Sequence, residues 1–522
     1  MGAEADPQLT PGPSPATRLP TGRETALVAV GQGALMVLGG VLALLVAQIF
    51  GKNAKTDAFF AAYGVYAVGL TFGQTFRLTA ISRLLHSEEP DPVSRLVGAV
   101  AMMALAVAIP MVLLAGPLGS VLAGKDPAHT APAVLRILWA ALAGQLLAAA
   151  LATVLTVRGA FTTIGLATLA SGIVSIATFL ALHSTLGIRA AAVALSASAV
   201  WLAGVFAIAL MRRGWTPSLA QLGSLSGLAR EAARLTFASG FFVGTNLAYV
   251  VCVALATRHR AGEATLFAYA YVGAAMLVAV TANVSAMVRA PALVAGAERA
   301  QAVAATGIAT LRFTLLLAGP VVGMALLVGR PVLELVLGSH YSGHDVHRIL
   351  ITLVALSGWI VASAGGIFAI IELLARSELR RLAWLGLGLV VATFAFAIAG
   401  GALAGIVGIA AGLSVAMLGV TTVQLRRAFA HEWRTTAFAM ARAVGREITV
   451  LACSFGPAAA LLLALGSSTA ARAGCGALAA ALVTLASRIA WPDEFRALVA
   501  LAGRHGQPSE RPRSDRPETA TV

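Results

Sequence analysis

Charge is what this 522-residue sequence lacks most: 11% of its residues are Asp, Glu, Lys or Arg, against 59% hydrophobic. So little polar surface cannot cover a water-soluble globule of this length, which excludes a soluble enzyme and, despite the formal charge of +15, a nucleic-acid-binding domain. Cysteine is scarce too. Cys252, Cys453 and Cys475 lie in apolar runs without paired or metal-type spacing, so neither a disulfide framework nor a zinc site is implied. Lysine is nearly absent, at 3 against 34 arginines, a bias that reads as genome composition and carries no mechanism. The sequence contains no phosphate loop of the G-x-x-x-x-G-K-[ST] type, no Ser/His/Asp set and no large polar domain, so nothing supports an ATP-driven pump or a membrane-embedded enzyme.

What is present is apolar sequence in long runs, with a mean hydropathy of +0.87. Residues 25–50 carry no charged side chain, nor do residues 58–76, and each run is long enough at about 1.5 Å per residue to cross a hydrocarbon core of roughly 30 Å. Between them, the polar stretch V-A-Q-I-F-G-K-N-A-K-T-D-A-F-F (46–60) reads as the turn of a transmembrane helical hairpin. Strand alternation is absent, so helices must satisfy the backbone in lipid, and the expected fold is an all-α integral membrane protein. Fourteen spans follow, at 25–50, 58–82, 96–123, 133–157, 162–185, 190–211, 233–256, 264–288, 302–328, 346–374, 380–399, 403–424, 446–467 and 471–488.

An even number of spans puts both termini on one side. That side holds 25 of the Lys and Arg residues and the other side 9, with Arg77, Arg136 and Arg312 inside spans, so the termini are expected in the cytoplasm and the protein in the cell membrane. Long connections at 213–232 and 426–445 divide the chain into a disordered tail (1–24), a six-helix N-lobe (25–212), a six-helix C-lobe (233–425), an accessory pair (446–488) and a polar tail (489–522). Two six-helix lobes enter the membrane in the same direction, as in parallel-repeat transporters. Residues 216–232 carry leucines at 219, 222, 225 and 228 and read either as an interfacial helix or as an ordinary linker.

With no catalytic pattern, the expected function is a solute path between helices. Charges within spans mark such a path because each costs at least about 2.5–3.5 kcal/mol to insert. Arg77, in G-Q-T-F-R-L-T, is a candidate cation for phosphate oxygens in a central cavity, or a snorkelling side chain. Arg312 is a second cavity candidate; it and Arg136 also read as snorkelling. Glu372, in I-I-E-L-L, is the candidate for proton or sodium coupling; Asp57, at the start of the second span, reads first as a helix cap and only second as a coupling candidate. Gln32 and Asn246, in the first helix of each lobe, could face a shared cavity or join helices, as could Gln145 and Asn283. The connection G-S-H-Y-S-G-H-D-V-H-R (338–348) reads as a solvated loop, with a metal site as the sharper alternative.

Ile49-Phe50-Gly51 followed by Thr56-Asp57-Ala58-Phe59-Phe60 resembles the corresponding hairpin of the MurJ-type lipid II flippases, within the multidrug/oligosaccharidyl-lipid/polysaccharide (MOP) exporter superfamily. Weaker resemblance runs through 266–293, 333–360 and 376–381. The chain departs from that pattern at Leu42 and Ala43, where the family carries an Arg-Asp pair, at Gly64, where it carries a basic residue, and near Tyr271, where it carries a cavity arginine. The resemblance implies a two-lobed, alternating-access flippase for an undecaprenyl-diphosphate-linked glycan, with an accessory pair offering a groove for the lipid tail. It implies no cofactor, a membrane potential or ion gradient as driving force, and membrane lipids and cell-envelope synthesis enzymes as partners. A small-cation efflux antiporter of the same superfamily and a non-transporting membrane scaffold are the alternatives; the antiporter requires embedded carboxylates.

Overall fold

The computed structural model describes residues 31, 38–86, 92–123, 130–215, 225–283, 285–286, 299–376, 378–430, 432–466 and 468–496. Among these the chain is helical throughout, without strands. Eleven helices are long and apolar enough to cross a membrane. Leu379–Ala428, 50 residues long, counts as two of the expected spans, because Ala404 and Gly405 leave helical geometry and reverse the chain. With Leu38–Phe50 and Ala54–His86 the described residues place a helix at each of the fourteen expected spans.

In chain order these are α1 (Leu38–Phe50), α2 (Ala54–His86), α3 (Pro92–Leu113 and, after a break at Leu114, Ala115–Ala123), α4 (Thr130–Val157), α5 (Phe161–Leu186), α6 (Arg189–Met211) and α7 (Leu225–Ala256). There follow α8 (Glu263–Val278, continued by a π turn over Ala279–Asn283), α9 (Arg299–Leu337) and α10 (Gly343–Ala355 and Ser357–Ala375). The two limbs of Leu379–Ala428 are α11 and α12, and Trp433–Leu465 and Thr469–Ala490 are α13 and α14. The connection expected at 426–445 is mostly helical, since α12 runs to Ala428 and α13 starts at Trp433. Likewise α7 begins at Leu225, and residues 216–224 of the expected linker lie outside the described residues.

Two apolar cores organise the bundle. One is built from residues between Leu42 and Trp215 and takes in one residue from beyond them, Ala268. The other is built from residues between Phe241 and Trp491 and takes in Ala47, Ala61 and Leu122. Helices α2 and α7 pack along each other between the halves. Small residues set the closest approaches: Gly240 and Gly244 of α7 meet Ala383 and Gly386 of α11 backbone to backbone, and Gly400 meets Gly408 across the α11/α12 reversal. In lipid, where apolar burial alone gives helices little reason to associate, such contacts let van der Waals packing hold them together.

Candidate functional site: a polar seam between the halves

The turn after α1 is built by its own sequence. Gly51, at φ +66°, ends the helix with its N–H donating to the Ala47 carbonyl at 2.9 Å. Asn53 then caps α2: its Oδ1 accepts from the Lys55 and Thr56 N–H groups (2.9 and 3.1 Å), while its Nδ2 donates to the Phe50 carbonyl. A side-chain acceptor at the N-cap satisfies donors that the first turn cannot pair internally.

Because Asn53 caps α2, Asp57 is free to reach elsewhere. Its carboxylate caps α8, across the boundary between the halves: Oδ2 accepts from the Gly262 N–H at 2.6 Å, and Oδ1 accepts from the Thr265 N–H at 2.8 Å and the Thr265 hydroxyl at 2.6 Å. The carboxylate is buried, at 4% exposure, and lies where the exposed N–H groups and the dipole of α8 favour negative charge. Gly262 is the N-cap residue of α8, at φ +88°, and lies against the Lys52 stem.

Further contacts between the halves surround it. The Lys52 ammonium pairs with Asp345 at 2.5 Å, Gln48 donates to the Val336 carbonyl at 2.7 Å, and Thr257 donates to the Leu122 carbonyl at 3.1 Å. Asp345 is itself held by a capping box with Ser342 at the start of α10. Within the second half, Arg348 pairs with Glu263 at 2.9 Å. A cavity of about 260 Å³ opens here, lined by Lys52, Arg260, Glu263, His344, Asp345 and Arg348 among others.

Directly along the bundle from this polar ring lies an aromatic one. Phe60 of α2 meets Tyr269 of α8 edge-on, with ring centroids 5.3 Å apart, and Tyr269 meets Tyr341 at 6.1 Å. Tyr63 contacts Tyr66 at 5.8 Å, Tyr249 contacts Tyr271 at 4.4 Å, and Tyr271 contacts Trp359 at 5.0 Å. All six tyrosines of the chain stand in these contacts.

Three of the other sequence candidates, Glu372, Asn246 and Arg312, lie apart from this seam. Glu372 is buried on α10 and accepts from Arg376 at 2.7 Å, one turn along the same helix. Half-buried Asn246 donates to the Phe242 carbonyl of its own helix at 3.1 Å. Arg312 of α9 approaches Glu494 at 3.5 Å and lies 5.8 Å from the centre of the Trp491 ring. Arg77 is on α2, with its side chain outside the described residues, and Gln32 lies outside them altogether. Among the described residues no group of three or more His, Cys, Asp or Glu is placed to hold a metal, and Asp345 of the 338–348 connection is engaged by Lys52 and Ser342.

No protein-family model matches the sequence, and no match to it is found among curated proteins. Solved structures do match. A structure of the lipid II flippase MurJ in an inward closed conformation superposes with a TM-score of 0.70 at 14% identity, covering 91% of this chain and 100% of that one. The chain has the fold of the MOP-superfamily transporters. An inward-facing multidrug resistance MATE transporter of that superfamily matches at TM-score 0.59 and 16% identity, covering 82% of this chain and 97% of that one. A MOP-superfamily transporter from Pyrococcus furiosus matches at TM-score 0.59 and 13% identity, over 82% and 97%.

Sequence reasoning reached Asp57 as a cap but on the wrong helix, and it passed over Lys52, Glu263, Thr265 and Arg348. The signal was available: a buried-helix start such as Gly262-Glu263 needs an acceptor, and Asn53 already served α2.

Proposed function

We propose that the chain is an alternating-access transporter that carries an undecaprenyl-diphosphate-linked glycan from the inner to the outer leaflet of the cell membrane, with both termini in the cytoplasm. The observation that carries this reading is the polar seam: Asp57 on Gly262 and Thr265, Lys52 on Asp345 and Gln48 on Val336 join the two halves at one end of the bundle. Hydrogen bonds and one ion pair whose members can all return to water make a closure whose polar contacts are replaced by solvent on opening. The excess of arginine on the opposite side supports placing this closure at the outer face.

The lipid-linked substrate is favoured over a small cation by the greater reach of the MurJ match, 91% of this chain against 82% for the MATE match. Arg77 is the cavity cation we assign to the diphosphate. With the interior negative, each negative charge carried outward gains about 2.3 kcal/mol per 100 mV, so an anionic head group is driven without a further coupling ion.

The test is flipping of a fluorescent undecaprenyl-diphosphate glycan in proteoliposomes, read as the fraction exposed to a membrane-impermeant quencher. Wild-type protein moves the lipid, faster with an inside-negative potential. Well-folded protein that leaves the lipid where it started, while expelling an organic cation, establishes the antiporter instead. Protein that moves neither overturns the flippase reading.

A further inference from the structure

A second polar cluster lies at the opposite end of the bundle, where α9, α13 and the short segment after α14 meet. Glu447 of α13 is 2% exposed and Trp491 is 2% exposed. The Trp491 Nε1–H donates to Glu447 Oε2 at 2.9 Å. The other carboxyl oxygen, Oε1, is buried without a hydrogen-bond partner, and it lies against Gly319 of α9 so closely that a Cβ there would collide with it. Glycine at 319 is what leaves room for the acid.

The charged groups around the acid face other partners or solvent, and the buried Arg312 Nε has no hydrogen-bond partner. Arg312 of α9 approaches Glu494 of the terminal segment and the Trp491 ring. Arg446, on the acid's own helix, lies 5.1 Å from the centre of the same ring. Arg488, in the last turn of α14, is exposed. No cation pairs with Glu447 among the described residues. Charging so buried a carboxylate against one neutral indole donor is strongly unfavourable, and a proton on Oε1 removes the charge, leaving the smaller cost of a buried neutral O–H.

Depth places the group where protons can arrive. Eighteen residues separate Glu447 from the end of α13 at Leu465, and the same number separates Gly319 from the end of α9 at Leu337. At 1.5 Å per residue both distances are about 27 Å. With the seam end at one membrane surface and a hydrocarbon core of roughly 30 Å, Glu447 sits at the opposite boundary. Trp491 fits an interfacial position of this kind, with an apolar ring and one polar edge.

We propose that Glu447 is a proton-binding site of the accessory helix pair: it holds a proton while α13, α9 and the Trp491–Arg496 turn are packed together, and releases it to the aqueous side carrying the termini when they part. On release, Arg312 is the cation that would exchange Glu494 for Glu447. The site is independent of the seam and of the identity of the transported molecule.

Infrared difference spectroscopy of the whole protein in nanodiscs, titrated from about pH 5 to about pH 9, reads it directly. The expected result is a carboxylic C=O band that is lost on raising the pH and is missing in Glu447→Gln at every pH. In Trp491→Phe, which keeps the acid and removes its donor, the band remains but shifts in frequency. No band dependent on Glu447, or one that persists unchanged over the whole range, overturns the proposal. So does an unshifted band in Trp491→Phe, should Glu447→Gln not fold.

Discussion

The seam makes its sharpest prediction at Asp57. Replacing it with Asn keeps the volume but removes the charge, and it turns one of two acceptor oxygens into an NH₂ that faces a backbone N–H. Three hydrogen bonds of 2.6–2.8 Å are affected. A hydrogen bond to a charged acceptor contributes about 1.5–3 kcal/mol against roughly 0.5–1.5 for a neutral one. Losing about 1 kcal/mol at each bond, with the N-terminal dipole of α8 also losing its anion, gives a shift of about 2–4 kcal/mol toward the opened seam. At 1.4 kcal/mol per decade that is roughly a 30- to 700-fold rise in the open population.

Ala268 is the reporter, because it belongs to the second half yet packs, fully buried, in the core of the first. In a background with Cys252, Cys453 and Cys475 replaced, Ala268→Cys should react with a thiol reagent only when the halves part. Its labelling rate in detergent, where orientation plays no role, should rise by that factor in Asp57→Asn at a temperature where both proteins remain folded. A rate within twofold of the parent would refute the claim that Asp57 holds the halves together.

Other residues give smaller or different responses. Lys52 is one-third exposed, so Lys52→Ala should raise the same labelling rate only about two- to fivefold, and the difference should vanish near 1 M salt, where the screening length falls to about 3 Å. Gly244→Ala places a methyl group against the Gly386 backbone and should lower stability by about 1–3 kcal/mol in thermal unfolding, whereas Gly388→Ala, which meets nothing within 4 Å, should not. Arg77→Ala should abolish flipping of the diphosphate-linked lipid at normal expression, and normal flipping would remove Arg77 from the cavity.

How far the fold could be read in advance depended on which forces wrote it. Spans were legible because a membrane demands length and apolarity from every helix, and even the α11/α12 reversal was expected, in the short gap between the spans at 380–399 and 403–424. The break itself falls a few residues on, at Ala404-Gly405, because Gly405 is the residue that adopts φ +58°. The start of α13 was hidden by Arg434, Arg442 and Arg446, which look like a loop but decorate a helix that continues beyond the apolar stretch. That shifted boundary also left Glu447 looking like a helix terminus when it is a buried acid. Asp57 was misplaced for a different reason: its partners lie 205 and 208 positions away, and nothing local distinguishes a carboxylate that caps its own helix from one that caps another.

That long-range cap bears on how the fold could move. A closure between two halves works as a gate only if its free energy is small enough to be reversed. The fully buried apolar residues that cross between the cores are Ala47, Ala61, Ala268 and Leu122, and larger, partly buried side chains such as Leu44, Val65, Val243 and Tyr269 cross beside them, so parting the halves exposes hydrocarbon that the polar contacts alone do not account for. The polar binding strength is concentrated in Asp57, whose three donors return to water when it leaves. The tyrosines next to the polar ring suit the same purpose, since a phenol presents an apolar face in the closed state and a hydroxyl that water can meet in the open one. The prediction at Asp57 therefore tests more than one hydrogen-bonded cluster: if removing its charge leaves the halves together, the apolar contacts must be holding them, and the seam is not a gate.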